Sequence, residues 1–266
     1  MNANTRLLID ADSLVYKAGC SNETREYIVQ DPSGHVVHSC QYMKEAKEYI
    51  QQDPDLTPVL TVKAGKLSHS LAGAKFLVES ILDAVPHKTY QLYIGGEGNF
   101  RKDLYPEYKA NRASMLRPVH EQEIREYLVR KYNAELVHGE EADDRVSYKQ
   151  CADIDNTCIV GIDKDLWNTP GWHWNYVKKK LDNLTFEQAD WNFWTQMLQG
   201  DPSDNIPCVP GIGPKKALRA LQGTKYEHLH DTVYNIYKEH GYSYDYFILM
   251  GRLLWMRRKP NEMWLP

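Results

Sequence analysis

No stretch of the 266-residue chain approaches the 18 or so consecutive apolar residues that a membrane-spanning helix needs. The first eight residues, Met1 to Leu8, lack the basic start and apolar centre of a secretory signal. A cytoplasmic setting is the expectation from both. The five cysteines (Cys20, Cys40, Cys151, Cys158, Cys208) are odd in number and widely scattered, with no CxxC pair. That pattern excludes a disulfide framework and a thiolate zinc site. The ten histidines form no HxxxH pair, so a zinc hydrolase has little support. Basic residues are not in excess either: 32 Lys and Arg stand against 36 Asp and Glu, a net charge of −4. A protein that coats a polyanion by bulk positive charge is thereby disfavoured. Internal repeats and low-complexity tracts are absent as well.

What is present is enough apolar material for a substantial core, 42% of the residues, and charge that is segregated along the chain. Residues 140–165 carry eight acids against three bases, whereas residues 101–119 carry five bases against two acids. Separation of this kind suits a cation site beside an anion track.

The apolar run Arg6 to Asp10 reads as a buried strand that stops at an acid, with a helix entered at Ser13. Tyr27–Gln30 and Val36–Ser39 flank the turn signal Asp31-Pro-Ser-Gly34 and suggest a hairpin. Helical spacing covers Tyr42–Gln52 and Leu71–Val85, and Thr89–Ile94 reads as a strand. Further on, a helix near Glu121–Tyr132, a strand at Ala134–Val137, a helix at Glu141–Ala152, and strands at Thr157–Ile162 and Trp172–Val177 continue the alternation. Alternation of this sort predicts an α/β fold with a mostly parallel sheet covered by helices. Beyond about Leu184 the pattern becomes helical (Phe186–Gln199, Pro214–Leu221, Tyr244–Arg257), which marks a smaller helical module.

In open α/β sheets, ligands bind beyond the carboxyl ends of the strands. Asp10 ends the first strand, Glu97 follows the Tyr90 strand, Glu141, Asp143 and Asp144 follow Val137, and Asp163 and Asp165 follow Val160. Glu141 and Asp144, three apart, share a helix face, with Asp143 beside them and Glu140 expected to point to solvent. Singly, each acid could be a helix cap or a solvated loop residue, as Asp12 and Asp155 are expected to be. Together they would repel strongly in a partly buried site, so cations are expected there. Two divalent ions are the natural capacity: one to generate hydroxide from water, both to stabilise an in-line phosphoryl transition state.

The segment GDPSDNIPCVPGIGPKKA, Gly200 to Ala217, adds Asp201 and Asp204 to the acids. It then turns through Gly211-Ile212-Gly213 into Lys215 and Lys216, where free backbone N–H groups and two cations suit phosphate. A second anion-binding candidate is NFRKDLYPEYKANR, Asn99 to Arg112. It interleaves Arg101, Lys102, Lys109 and Arg112 with Phe100, Tyr105 and Tyr108, cations for phosphates and rings for bases. A solvated helix face with core tyrosines is the plain alternative.

LLIDAD at Leu7–Asp12, YPEYKANR at Tyr105–Arg112, GEEADD at Gly139–Asp144, GIDKDLWN at Gly161–Asn168 and the Gly200–Ala217 segment resemble, in order and approximate spacing, the structure-specific 5′ nucleases. That family comprises flap endonucleases and 5′→3′ exonucleases, including bacteriophage replication exonucleases and the 5′-nuclease domain of bacterial DNA polymerase I. The resemblance implies a PIN-like catalytic domain over residues 1–184, with a helical arch near 100–132, and a helix-hairpin-helix DNA-binding module over 185–266. It implies Mg²⁺ or Mn²⁺ dependence, two ions, and hydrolysis of DNA that leaves a 5′ phosphate. Asp10, Glu141, Asp143 and Asp144 would form one metal group and Asp163, Asp165, Asp201 and Asp204 the other. Lys109 and Arg112 would contact the scissile phosphate as catalytic cations, with Arg101, Lys102, Tyr105 and Tyr108 on the strand. Gly211, Gly213, Lys215 and Lys216 would hold the duplex, with K⁺ at the hairpin. Where the family has an aspartate after its second core strand this chain has Gly95-Gly96-Glu97, so that either Glu97, one carbon longer, serves as that ligand or the site lacks it. The implied setting is a monomer removing 5′ ends, flaps or RNA primers in DNA replication, alongside replication proteins, in a bacterial cytoplasm if viral. A noncatalytic binder of branched DNA and a PIN-type ribonuclease are the competing readings.

Overall fold

The computed structural model describes residues 4–51, 53–113 and 115–266. In chain order the elements are β1 (Arg6–Asp10), α1 (Asp12–Cys20), β2 (Glu23–Gln30), β3 (Val36–Cys40), α2 (Met43–Ile50), β4 (Thr57–Ala64), α3 (Leu67–Ala84) and β5 (Thr89–Gly95). They continue with α4 (Phe100–Leu104), α5 (Glu121–Tyr132), β6 (Glu135–Val137), α6 (Ala142–Ala152), β7 (Thr157–Val160), β8 (Gly171–Asn175), β9 (Lys180–Leu184), α7 (Phe186–Gln199), α8 (Pro214–Leu221), α9 (Leu229–Glu239) and α10 (Tyr244–Leu254). No helix among the described residues is long and apolar enough to cross a membrane.

The chain divides into two compact units, residues 1–13, 79–116 and 128–266 in one and residues 14–78 and 117–127 in the other. The smaller unit holds an antiparallel sheet in the order β3-β2-β4, with α2 packed on all three strands. The hairpin expected around Asp31 is there: Asp31 Oδ1 accepts the N–H groups of Ser33 and His35, and Gly34 takes φ 87° at the turn. β4, for which no strand was expected, runs along β2 from Thr57 to Ala64.

The larger unit contains a six-stranded sheet in the order β6-β5-β1-β7-β8-β9. Every pair is parallel except β8 with β9. The central strands need no alternation, because both faces are covered: Leu7, Leu8 and Ile9 are buried, as are Cys158, Ile159 and Val160. β9 gave no apolar run because it is an edge strand, KLDNL, with only Leu184 buried. One face packs Leu8, Tyr93, Val137 and Ile159 against Ala142 and Val146 of α6 and against Leu166. That packing sets the start of α6 at the carboxyl edge of β1 and β7.

Beyond β9 the helices α7 to α10 share a separate aromatic core around Phe193, Trp194, Tyr237, Phe247 and Trp264. α7 opens with a reciprocal cap, in which the Thr185 hydroxyl accepts the Gln188 N–H and the Gln188 side chain accepts the Thr185 N–H. It closes at Gly200, φ 64°, where an added Cβ would lie 2.6 Å from backbone atoms of Ile206, Pro207 and Cys208. Only glycine fits that turn, and the turn delivers Asp201 and Asp204 to the acids of the sheet.

Candidate active site

β1 ends on Asp10, whose carboxylate is buried and accepts the Asp12 N–H at 3.2 Å. Burial, then the charges of Asp12 and Asp163, raise the Asp10 carboxyl well above its ordinary range. Asp143, in the first turn of α6, is raised in the same way by burial and then by Asp10 and Asp163. Acids from the ends of β1, β6 and β7 therefore share one electrostatic site, as the strand-end rule predicts. Asp163 accepts the Asp165 N–H at 3.0 Å, which folds the loop after β7 into a turn with both carboxylates on the rim.

Asp165, Asp201 and Asp204 each place a carboxylate oxygen within 4.8 Å of the others. Burial, then Asp163 and Asp201, push Asp165 up to about 7. Burial alone would raise Asp201 too, but the Lys164 ammonium at 2.8 Å and the Ser203 hydroxyl at 2.6 Å hold it below its ordinary value. Asp201 Oδ1 takes those bonds, whereas its Oδ2 is buried and has no hydrogen-bond partner among the described residues. An orphaned carboxylate oxygen inside a carboxylate triad is the donor set of a hard divalent cation. The residues present thus fit the metal that the sequence pattern implies.

Glu141 caps α6, and its side chain is wrapped by Lys109, by the Tyr108 hydroxyl at 2.7 Å and by Arg101 at 3.4 Å. Burial opposes its charge, but Lys109 and then Arg101 outweigh it and hold Glu141 down at about 2. Lys109 reaches Asp204 Oδ2 at 3.4 Å as well, and Arg112 pairs with Asp204 Oδ1. Despite those cations, burial leaves Asp204 above its ordinary value. Lys109 itself is held above an ordinary lysine: burial works against its charge, and Glu141 and Asp204 overcome it.

Several expectations need correction. Arg101, read as a DNA contact, is fully buried. It forks onto Asp144 at 2.5 and 2.9 Å and donates to the carbonyls of Leu253 and Trp255 at 2.8 Å each. Asp144 in turn is sealed by that fork and by the N–H groups of Glu141 and Arg257, both at 3.3 Å, so its oxygens are committed to these partners and not to the acid rim. Tyr108, read as a stacking ring, is buried, with its hydroxyl on Glu141 and on Asp204 at 2.8 Å. Glu140 does not face solvent: it is buried between Arg145 at 2.9 Å and Arg257 at 2.8 Å. Glu97 lies exposed on the turn after β5, its N–H on His138 Nδ1. At that strand end the Gly95 N–H donates instead to Asp12 Oδ2 at 2.9 Å, and a Cβ on Gly95 would sit 2.9 Å from the same oxygen. Asp12 occupies the space that a side chain at position 95 would need.

Lys102 is exposed and Tyr105 half-buried. Gly211, with φ 75°, and Gly213 form the open turn before α8, and Lys215 and Lys216 are exposed on its first turn. Two site residues carried no signal in the sequence. Lys164 pairs with Asp201, and Gln196 of α7 donates to Asp165 while accepting from Asn168, a chain that fixes the orientation of Asp165. A glutamine in the middle of a helix looks like any other polar position until the helix is docked.

The fold and the acid rim define a class. The chain has the PIN-like nuclease fold, being similar to the bacteriophage T5 5′-exonuclease with divalent metal ions (zinc) bound, at a TM-score of 0.54 and 16% identity, over 94% of this chain and 89% of that one. It is similar also to the catalytic core of Rad2 in complex with DNA substrate, at a TM-score of 0.51 and 10% identity, over 98% and 81%. In sequence the particular relatives are DNA polymerase I of Pseudomonas aeruginosa, 30% identical over 188 residues, 62% of this chain and 20% of that protein. Flap endonuclease Xni of Shewanella putrefaciens is 31% identical over 142 residues, 48% of this chain and 54% of that protein. The chain thus spans a fifth of one relative and about half of the other. No family model matches it. The resemblance to structure-specific 5′ nucleases read in the five motifs holds in both fold and sequence.

Proposed function

We propose that the chain is a divalent-metal-dependent 5′→3′ exonuclease and 5′-flap endonuclease that hydrolyses DNA phosphodiester bonds and serves replication by trimming 5′ ends, flaps or RNA primers. The observation that carries this reading is the triad Asp165, Asp201 and Asp204 with its orphaned oxygen, set beside Asp10, Asp143 and Asp163. Its partner by this reading is DNA, and its ions are Mg²⁺ or Mn²⁺, one in the triad and one among Asp10, Asp143 and Asp163 with Glu141 at the edge. Bound there, the ions supply a lowered pKa for water and Lewis-acid stabilisation of charge on the phosphoryl oxygens. The chain's own contribution is position. Lys109 and Arg112 lie at the mouth of the same site and can offset charge on a scissile phosphate, while Lys164 and Gln196 hold Asp201 and Asp165 in place.

Residues 1–184 are the catalytic part by this reading, and residues 185–266 bind the duplex through Gly211, Gly213, Lys215 and Lys216, with a K⁺ ion at the hairpin carbonyls. Lys102 and Tyr105 are the members of the basic run left to meet the strand.

With Mg²⁺ the protein is expected to cut a 5′-labelled branched DNA duplex, and EDTA is expected to stop it. Binding of the same DNA in both Ca²⁺ and Mg²⁺ without product would show a noncatalytic binder. Preference for an RNA strand of the same sequence would show a ribonuclease. The hairpin makes a separate, smaller prediction. Lys215→Ala with Lys216→Ala should weaken duplex binding about tenfold and lower the slope of log affinity against log salt by about 1 to 2, the share of two phosphate contacts. An unchanged slope in a salt titration would remove these lysines from the interface.

A further inference from the structure

The segment 107–112 is fastened to the turn that carries Asp201 and Asp204, two of the three triad acids. The Lys109 N–H donates to the Asp204 carbonyl at 2.9 Å, Asn111 Nδ2 to the Pro202 carbonyl at 2.9 Å, Arg112 Nε to the Ser203 carbonyl at 3.0 Å, and Asn205 Nδ2 to the Glu107 carbonyl at 2.8 Å. Lys109 holds φ 57° in the left-handed region, which is costly for a side chain of its kind and is kept only where the surroundings enforce it. The enforcement is visible: that backbone turn aims the ammonium between Glu141 and Asp204, and Arg112 closes on the other oxygen of Asp204. Two cations of the chain therefore engage oxygens at the rim where a divalent cation needs lone pairs.

We propose that Lys109 and Arg112 are built-in counter-ions that compete with divalent cations for Glu141 and Asp204, so that metal loading frees the 107–112 clasp and hands its two charges to phosphate. The proposal rests on the metal assignment above and adds a direction to it. A cation of the chain and a metal ion that take oxygens of the same carboxylate repel one another and weaken each other's hold, most where, as on Asp204, both oxygens are engaged by the chain's cations. Such coupling is reciprocal: whatever loosens the clasp tightens the metal, and the reverse. The competing physical idea is that Lys109 and Arg112 hold the carboxylates in shape for the metal, in which case their removal weakens binding. The two ideas differ in sign.

Calorimetric titration of Mn²⁺ into the DNA-free protein separates them. Arg112→Met, whose side chain is 43% exposed and whose removal leaves the core intact, should bind Mn²⁺ more tightly than the parent. Lys109→Met with Arg112→Met should gain about tenfold or more, whereas Lys109→Arg should bind as the parent does. In the parent, Ca²⁺ should speed amide hydrogen exchange in residues 105–113. Unchanged or weaker Mn²⁺ binding in both methionine variants, or slower exchange with Ca²⁺, would overturn the clasp while leaving the metal site standing. No measurable Mn²⁺ binding by the parent would overturn both.

Discussion

Arg101→Met is expected to lower folding stability by about 3–5 kcal/mol, the usual consequence of removing one partner from a buried ion pair. The guanidinium is wholly enclosed, with Nε on the Leu253 carbonyl, one terminal nitrogen on Asp144 and Glu141, and the other on Asp144 and the Trp255 carbonyl. A single side chain thereby joins α4 to the start of α6 and to the end of α10. Methionine fills similar volume but leaves the Asp144 charge in the core with only two backbone N–H contacts, and leaves two carbonyls unsatisfied. Lysine cannot rescue it, since a point ammonium cannot span a forked carboxylate and two diverging carbonyls. Arg101→Met with Asp144→Leu should recover part of the loss, because the pair is then replaced by apolar contact rather than broken. Urea unfolding of the three proteins measures this. A single variant within about 1 kcal/mol of the parent would show that the fork is dispensable.

The same residue shows where sequence reading reaches its limit. In NFRKDLYPEYKANR the alternation of cations and rings was visible, but α4 is five residues long, too short for a helical period to say which cation turns inward. Arg101 goes in and Lys102 out because the partners of Arg101 come from positions near 144 and 255, more than 40 residues away. Glu140 is the same case, paired with Arg257 across 117 residues. What local rules set was legible: the positions of Asp10 and Asp163, because buried strands in a parallel sheet end at the ligand edge, and the turn at Gly211, because glycine ahead of a proline-led helix marks a chain reversal. The glycine at position 95 was legible as a departure and not as a packing fact. Its cause, the Asp12 carboxylate in front of the strand end, belongs to a residue expected to be a plain cap.

Asp143→Asn should abolish cleavage, by about 10³-fold or more, and yet make the metal-free protein more stable at pH 8. The activity loss follows if Asp143 supplies charge and lone pairs to a cation. The stability gain follows from the electrostatics of the folded chain. Burial, then Asp10 and Asp163, raise the Asp143 carboxyl well above its ordinary 3.8, and burial with Asp12 and Asp163 does the same to Asp10. A carboxyl whose folded value exceeds its unfolded value keeps its proton longer in the folded state. Stability from that source is present in acid and falls as pH rises from 3.8 through the raised value; for Asp165 that window runs to about 7. Glu141, held down at about 2, runs the other way: its contribution is present above its ordinary 4.5 and is lost as pH falls towards 2. Once pH exceeds these raised values the acid rim is ionised against its own repulsion, and neutralising one member should then relieve on the order of 1–2 kcal/mol, worth about 2–4 °C of melting temperature per kcal/mol in a chain of this size. Thermal melts in EDTA should show the variant above the parent at pH 8, with the gap closing as pH approaches 3.8, where the parent's own Asp143 is protonated. Mg²⁺ should narrow the gap at pH 8, because only the parent keeps the full carboxylate set for the ion among Asp10, Asp143 and Asp163, whereas both proteins keep the triad. A variant that melts below the parent at pH 8, or that cuts within tenfold of it, would mean that Asp143 is a structural acid and that the repulsion is absorbed elsewhere.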